Sequence, residues 1–369
     1  MRILQITSHL NVGGVTSHLL SLSHALAARG HQLIVASGGG QLENGAGAGG
    51  LTHWRVPLHT SVEFSPQVVS AGRQLAARLA QRPVDLLHAH TRVAQVVAER
   101  LSRAAGLPYV TTWHGFFRRN LGRRWWPCTG ELTIAISEPV RQHLLRDFHL
   151  PAERIRLIPH GIDPAPFETP VDSSAAQRLR ERARVATAGP LIGTVARLVA
   201  SKGVDQLIRA LPQVRASAPE AQLLVVGDGA MRPHLERLAA SLGVAEAVHF
   251  AGALPQTRTA LSLMDVFVFL PAEQEGFGLS LLEAMASGRP IVAVRRGGGA
   301  TWVLQESGAG MMAEPGDPAG LAAAITRILQ DGQLARQLGE QARAVVKARY
   351  ALERMVDAVE SVYNEVMRD

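Results

Sequence analysis

The sequence predicts an α/β protein built from two doubly wound parallel-sheet domains, Rossmann-like and facing a cleft. Three observations predict it. Apolar runs of strand length alternate with helical patterns across the 369 residues. A Pro-rich polar stretch, HGIDPAPFETPVDSS (160–174), divides the alternation into two similar halves. Residues with binding chemistry gather just after the strands, at the carboxyl ends where such sheets hold ligands.

In the first half the strands read ILQIT (3–7), QLIVAS (32–37), VDLLHAH (84–90), PYVTTW (108–113), LTIAIS (132–137) and RIRLIP (154–159), with helical periodicity between them, as over 15–28 and 93–105. The pattern restarts with PLIGTVA (190–196), AQLLVVG (221–227), AVHFAG (247–252), DVFVFL (265–270) and PIVAV (290–294). Near-continuous apolar strands of this kind are buried on both faces, which requires helices on both sides of a parallel sheet. The expected domains are 1–168 and 169–349. A last helix over 350–369 carries aromatic residues and Val on one face and is expected to pack across the domains.

No run of about 18 or more apolar residues exists, and MRILQIT opens as a strand without a signal-peptide layout. A cytoplasmic protein is expected. Cys128 is the single cysteine, which excludes an intrachain disulfide and makes a Cys-based zinc site implausible. Residues 1–168 hold 17 Arg against 10 Asp and Glu, whereas from Thr169 onward 21 Arg and Lys face 21 Asp and Glu. The excess peaks in FFRRNLGRRWW (116–126), where Arg118, Arg119, Arg123 and Arg124 interleave with four large aromatics. Arg meets phosphate and Trp sits at headgroup depth, so an anionic membrane surface is the expected partner. Nucleic acid and a protein interface or simple packing are the competing readings; no nucleic-acid partner is expected.

The motif richest in chemistry is EGFGLSLLEA (275–284). It follows a buried strand and opens an apolar helix, with Phe277, Gly278 and Leu279 in a first turn whose N–H groups lack intrahelical partners. Such a terminus attracts phosphate. Glu275 and Glu283, eight residues apart, would then offer a carboxylate at each end of a ligand with an anionic middle. A nucleotide-sugar has that layout. RLVASKG (197–203) adds two cations on a strand-to-helix loop, and Lys202 is one of only two lysines in the chain. A lysine retained among so many arginines suggests a need for a compact ammonium, suited to phosphate.

NVGGVTSHLL (11–20) places Gly13 and Gly14 between a strand and a helix without the G-x-G-x-x-G fingerprint, and no acidic residue closes the second strand. A dinucleotide cofactor is not expected. The glycine pair is either a tight connection or a close backbone approach to phosphate or sugar. His114 follows a strand directly and is either a hydrogen-bonded end cap or a ligand contact. His88 and His90 share a strand face, but no Cys or carboxylate cluster completes a metal site around them. They are read as packing, and no metal is expected.

These pieces together resemble the family 4 glycosyltransferases, retaining enzymes of the GT-B fold. In chain order the matching parts are Gly13 and Gly14, HAH (88–90), the HG at His114, AIS (135–137), IPHGID (158–163), ARLVASKG (196–203), VVGDG (225–229) and the E-x7-E pair Glu275 and Glu283. The resemblance implies a nucleoside-diphosphate-sugar donor, of UDP or GDP type, held mainly by the second domain. Arg197 and Lys202 would neutralise the diphosphate and Glu283 would hold the ribose. Glu275 and the amides of Phe277, Gly278 and Leu279 would hold the sugar, with His114 reaching it from the first domain. Asp228, Gly229 and Leu254 would complete the donor contacts, and the last helix would cross back to the first domain. Two positions depart from the pattern: Ala272 stands where a Ser is usual, and GGGATW (297–302) lacks the usual Glu, which leaves the donor sugar unassigned.

The implied reaction is metal-independent transfer of a sugar to an acceptor hydroxyl with retention. Lipid-linked or glycan acceptors are expected, in envelope glycan or glycolipid synthesis such as lipopolysaccharide or exopolysaccharide, with possible peripheral association at the inner face of the plasma membrane. Two alternatives remain open. A nucleotide-sugar 2-epimerase of the same fold would share the sheets; a non-catalytic nucleotide-sugar-binding module would lose residues of the cation pair or the Glu pair, and both are intact.

Overall fold

The computed structural model describes residues 1–117, 123, 125–296 and 298–368. Arg118, Arg119, Arg124 and Gly297 therefore lie outside the described residues. The chain divides into two compact units: Met1–Gly161 with Leu352–Asp369, and Ile162–Ala351.

The first unit is a parallel sheet of β1 (Arg2–Ile6), β2 (Gln32–Ser37), β3 (Thr52–Arg55), β4 (Leu86–Ala89), β5 (Tyr109–Trp113), β6 (Leu132–Ala135) and β7 (Ile155–Leu157), in the order β3-β2-β1-β4-β5-β6-β7. The second is a parallel sheet of β8 (Leu191–Val195), β9 (Gln222–Val226), β10 (Val248–Gly252), β11 (Val266–Phe269), β12 (Ile291–Val294) and β13 (Met311–Ala313), in the order β10-β9-β8-β11-β12-β13. Both are doubly wound: connections reverse direction at β1/β4 and at β8/β11, and each reversal opens a crevice at the strands' carboxyl ends. The central strands are buried throughout, as in β4, β5, β9 and β11, in keeping with helices on both faces.

Helices begin and end where the local chemistry directs. Ser65 caps helix Pro66–Gln81 by accepting from the Val68 N–H, with Pro at its first position. Gly106, at φ 63°, terminates helix Arg92–Ala105 in the left-handed conformation.

Two features of these units differ from the sequence reading. The division falls at Gly161/Ile162, not at 168/169. Residues 162–168 belong to the second unit because the Ile162 N–H donates to the Tyr350 carbonyl at 2.9 Å and Ile162 bridges Ala351. The stretch 160–174 is also less a linker than it reads: it forms helix Ala165–Glu168 and starts helix Ser173–Ala183, capped by Asp172. The strands that the sequence conceals, β3 (THWR) and β13 (MMA), are short edge strands without a continuous apolar run.

The last helix, Leu352–Val366, belongs to the first unit. Met355, Val356, Val359, Val362, Tyr363 and Val366 are buried against Ile3, Leu22, Leu26, Leu33 and Ile134. Each such aliphatic side chain contributes about 1.5–3 kcal/mol when fully buried. Outside this apolar stripe, Arg29 pairs with Glu353, Asp357 and Glu360, and Arg156 with Glu365.

Candidate active site

In the second unit the predicted residues collect at the reversal point. The loop after β8 carries Arg197 and ends in the turn Ala200–Lys202; the loop after the neighbouring strand β11 carries Glu275. Lys202 and Glu275 form a salt bridge, and both side chains are largely buried. The cation and the carboxylate assigned to different parts of one ligand thus hold each other. Arg197 is exposed and forms no salt bridge among the described residues.

Glu275 is fixed through its backbone. Its carbonyl accepts from the Gly299 N–H at 3.0 Å and pairs with Gly298, where a Cβ would lie 2.3 Å from that same oxygen. Asp228 and Gly229 act on the cation loop in the same way: the Leu198 N–H donates to the Asp228 carbonyl at 2.9 Å, and a Cβ on Gly229 would strike the Leu198 carbonyl at 2.4 Å. Leu254 follows β10, the edge strand of this sheet, and is half-buried.

The helix of the Glu pair runs Leu279–Ala286 with Gly278 as its cap at φ 98°. A side chain there would be strained and would meet the Phe269 ring at 2.7 Å. Phe277 consequently precedes the helix instead of lying in its first turn. It is buried, with its ring edge-on to Tyr350. Leu279 does occupy the first turn, where amides have no intrahelical acceptor. Glu283 accepts a hydrogen bond of 2.8 Å from the Thr257 hydroxyl. Burial raises its pKa, and the Thr257 hydrogen bond works in the opposite direction. Thr257 carries no sequence signal: it ends the loop after β10 and directly precedes the short helix Arg258–Leu263.

The first unit holds a histidine cluster that the sequence only partly exposes. Gly13 caps helix Gly14–Ala28, and a Cβ at Gly13 would meet nothing within 4 Å. The chain's own packing thus makes no demand for glycine at 13. His18 projects from this helix, His90 follows β4, His114 follows β5, and His160 follows β7. Contacts join them: His90 Nδ1 to His114 Nε2 at 3.1 Å, His114 Nδ1 to His160 Nε2 at 3.4 Å, and His160 Nδ1 to His18 Nδ1 at 2.7 Å. Behind them His90 Nε2 reaches Gln5 Oε1 at 2.5 Å, Gln5 Nε2 donates to the Tyr363 hydroxyl, and that hydroxyl lies 2.6 Å from His88 Nδ1.

The Gln5 amide sets the direction of every proton in this chain. Its oxygen accepts from His90 Nε2–H, so the neutral His90 presents a lone pair at Nδ1. His114 then donates from Nε2, His160 from Nε2 and His18 from Nδ1. His18 Nε2 is left as a buried lone pair with no hydrogen-bond partner. Tyr363 in turn donates to His88, which donates to Thr112. His88 and His90 are therefore members of a polar network, a correction to their reading as packing.

Desolvation lowers the pKa of all five histidines: His18 and His88 to about 3, and His90, His114 and His160 well below the usual value. Neighbouring histidines deepen the effect at His88, His90, His114 and His160.

The comparisons with known proteins agree with this architecture. Residues 12–166 match the family described as Glycosyltransferase Family 4, and residues 176–345 match Glycosyl transferases group 1. An uncharacterized glycosyltransferase of Methanocaldococcus jannaschii is 26% identical, over 96% of this chain and 95% of its own. N-acetyl-alpha-D-glucosaminyl L-malate synthase of Bacillus anthracis is 24% identical, over 99% and 97%. Among solved structures, Anabaena HepE in complex with UDP superposes with a TM-score of 0.85 at 22% identity, covering 99% of this chain and 100% of that one. The fold is that of the GT-B glycosyltransferases. The chain belongs to glycosyltransferase family 4.

The neutral histidines carry a pH prediction. Their folded pKa values lie below the unfolded value of about 6.5, so the unfolded chain takes up protons first as pH falls. Stability is fully present above about pH 6.5 and is lost progressively below it, by up to about 1.4 kcal/mol per pH unit for each histidine. Denaturant unfolding of the whole chain should therefore give a clearly lower stability at pH 5.5 than at 7.5. Equal stability at the two values would show that the cluster is not held neutral.

Proposed function

We propose that this protein transfers a sugar from a nucleoside-diphosphate sugar to an acceptor hydroxyl with retention at the anomeric carbon. The observation that carries the reading is the Lys202–Glu275 pair at the β8/β11 crevice, beside the N-terminus of helix Leu279–Ala286. A diphosphate arriving there would take the ammonium, and the released carboxylate would be free to accept from sugar hydroxyls. Neither buried charge would stand unpaired, which matters because an isolated ion in such surroundings is costly. Glu283, already accepting from Thr257, suits the ribose hydroxyls.

In the step itself the bond from the anomeric carbon to the diphosphate oxygen breaks and a bond to the acceptor oxygen forms on the same face. The acceptor's proton passes to the leaving phosphate oxygen. Negative charge grows on the diphosphate, where Arg197, Lys202 and the helix N-terminus stabilise it. With that much fixed positive potential a metal at the diphosphate is redundant. Same-face attack is taken from the family's pattern.

The acceptor is proposed to be lipid-linked or an envelope glycan, reached at an anionic membrane surface. Supporting this, Trp125 is 86% exposed, and Val62 and Phe64 are 60% and 61% exposed in the first unit, which also holds the positive excess. Not every residue of the basic segment is available for lipid. Arg123 pairs with Glu63, which also holds the buried Arg92, and Trp126 stacks on Phe64 and packs against the core. Among the described residues no helix is long and apolar enough to cross a membrane.

Three outcomes are expected. Lys202→Ala should lower kcat/KM for a thermal-shift-selected donor by about 2.7–4 kcal/mol of transition-state stabilisation, roughly a hundred- to a thousand-fold; wild-type kcat/KM would remove Lys202 from the mechanism. Turnover should survive EDTA, and a collapse rescued by Mg²⁺ or Mn²⁺ would overturn the metal-free reading. Replacing Arg118, Arg119 and Arg124 by Gln, which leaves the Arg123–Glu63 pair intact, should weaken co-sedimentation with anionic liposomes and leave donor binding nearly unchanged, each Arg being worth about 1 kcal/mol near such a surface. If wild type and variant pellet equally at low salt, the membrane surface is the wrong partner.

A further inference from the structure

We propose that His18, His90 and His114 form a binding site for a borderline divalent transition metal, Zn²⁺ foremost, and that its occupation withdraws His114 from substrate. One ligand nitrogen from each of the three residues lies within 4.8 Å of the others. A tetrahedral zinc with Zn–N bonds of about 2.0–2.1 Å needs its nitrogens roughly 3.4 Å apart. His90 Nδ1 and His114 Nε2 already stand 3.1 Å apart, so His18 makes most of the adjustment.

The hydrogen-bond order has prepared two of the three lone pairs. Gln5 Oε1 holds the proton of His90 on Nε2 and leaves Nδ1 a lone pair, which accepts from His114 in the metal-free protein. His160 Nδ1 holds the proton of His18 on Nδ1 and leaves Nε2 open, and that nitrogen is the buried acceptor without a partner. Outer acceptors of this kind fix the tautomer and ring angle of metal-bound histidines. Only His114 must change, moving its proton from Nε2 to Nδ1. That proton then opposes the one on His160 Nε2, and two bonds are given up: the 3.1 Å bond to His90, whose place the metal takes, and the 3.4 Å bond from His160, the longest in the chain.

The protons balance without release: four neutral imidazoles carry four protons before and after. Three imidazoles and no thiolate or carboxylate suit zinc, copper or nickel and not magnesium or calcium. His114, the least buried of the three, marks the side from which the ion enters, and the fourth position remains for water. The expectation of no metal rested on finding no Cys or carboxylate near His88 and His90. It overlooked His18 and His160, which arrive from a helix and from the loop after β7.

The test uses the full-length metal-free chain with Co²⁺ as a spectroscopic substitute for Zn²⁺. One equivalent should produce the visible absorption of a tetrahedral site, raise Tm, and be displaced by Zn²⁺. His18→Ala and His90→Ala should each weaken binding at least 100-fold. Gln5→Leu, which removes the outer acceptor of His90 together with the donor to Tyr363 and leaves all three ligand side chains in place, should weaken it about 10–100-fold. Folding of each variant is checked by metal-free Tm, and His18→Gln replaces His18→Ala where the cavity unfolds the protein. Absence of the spectrum and of the Tm shift in wild type overturns the site. An unchanged spectrum in both ligand variants also overturns it, since the ion would then sit elsewhere. The effect on substrate rests on the proposed sugar transfer: Zn²⁺ should inhibit it and EDTA should restore it. Zinc-loaded protein that transfers sugar at the metal-free rate would refute the withdrawal of His114, while the spectrum judges the site independently of any activity.

Discussion

Parallel strands cannot be joined by a hairpin, and this constraint organises both units. Each connection must cross a face of the sheet, so the sheet is buried on both sides and has little tolerance for polar side chains along its strands. Polar chemistry is displaced to the carboxyl ends, and the reversals at β1/β4 and β8/β11 open space there. The Lys202–Glu275 pair lies at one reversal and the His90 end of the histidine chain at the other.

At these ends the two units manage desolvation differently. The second unit keeps opposite charges together, so that burial is offset by mutual attraction. The first unit keeps its groups neutral and links them by hydrogen bonds, so that burial costs little provided each nitrogen has a partner. His18 Nε2 is the place where that provision fails. A single unsatisfied acceptor at the end of an otherwise complete chain is the feature that distinguishes this cluster from ordinary packed histidines.

Much of this was legible in the sequence. The alternation of apolar runs gave both sheets, and position after a strand selected Lys202, Glu275 and His114, because strand ends are local features of sequence. What escaped depended on distance along the chain. Gln5 and Tyr363 are separated by 358 residues, yet their hydrogen bond helps fix the tautomer of His90. His18 and His160 read as a helix residue and a loop residue, and Thr257 as an ordinary threonine. The direct pairing of Lys202 with Glu275 was equally hidden, since the two belong to separate motifs whose only connection is the adjacency of β8 and β11. Edge strands escaped for another reason: β3 and β13 are half-exposed and lack the apolar run that marks their neighbours.

The return of Leu352–Val366 to the first unit makes the second unit an insertion within the first. During synthesis the strands of the first sheet emerge before the second unit, yet the helix that covers Ile3, Leu22 and Ile134 is translated only after it. Until then a face of that sheet remains open to water, to chaperones and to other nascent chains. The second unit, continuous from Ile162 to Ala351, can complete its core while the first is still waiting. Maturation of the histidine chain thereby waits until the second unit has been synthesised, because Tyr363 supplies its deepest hydroxyl.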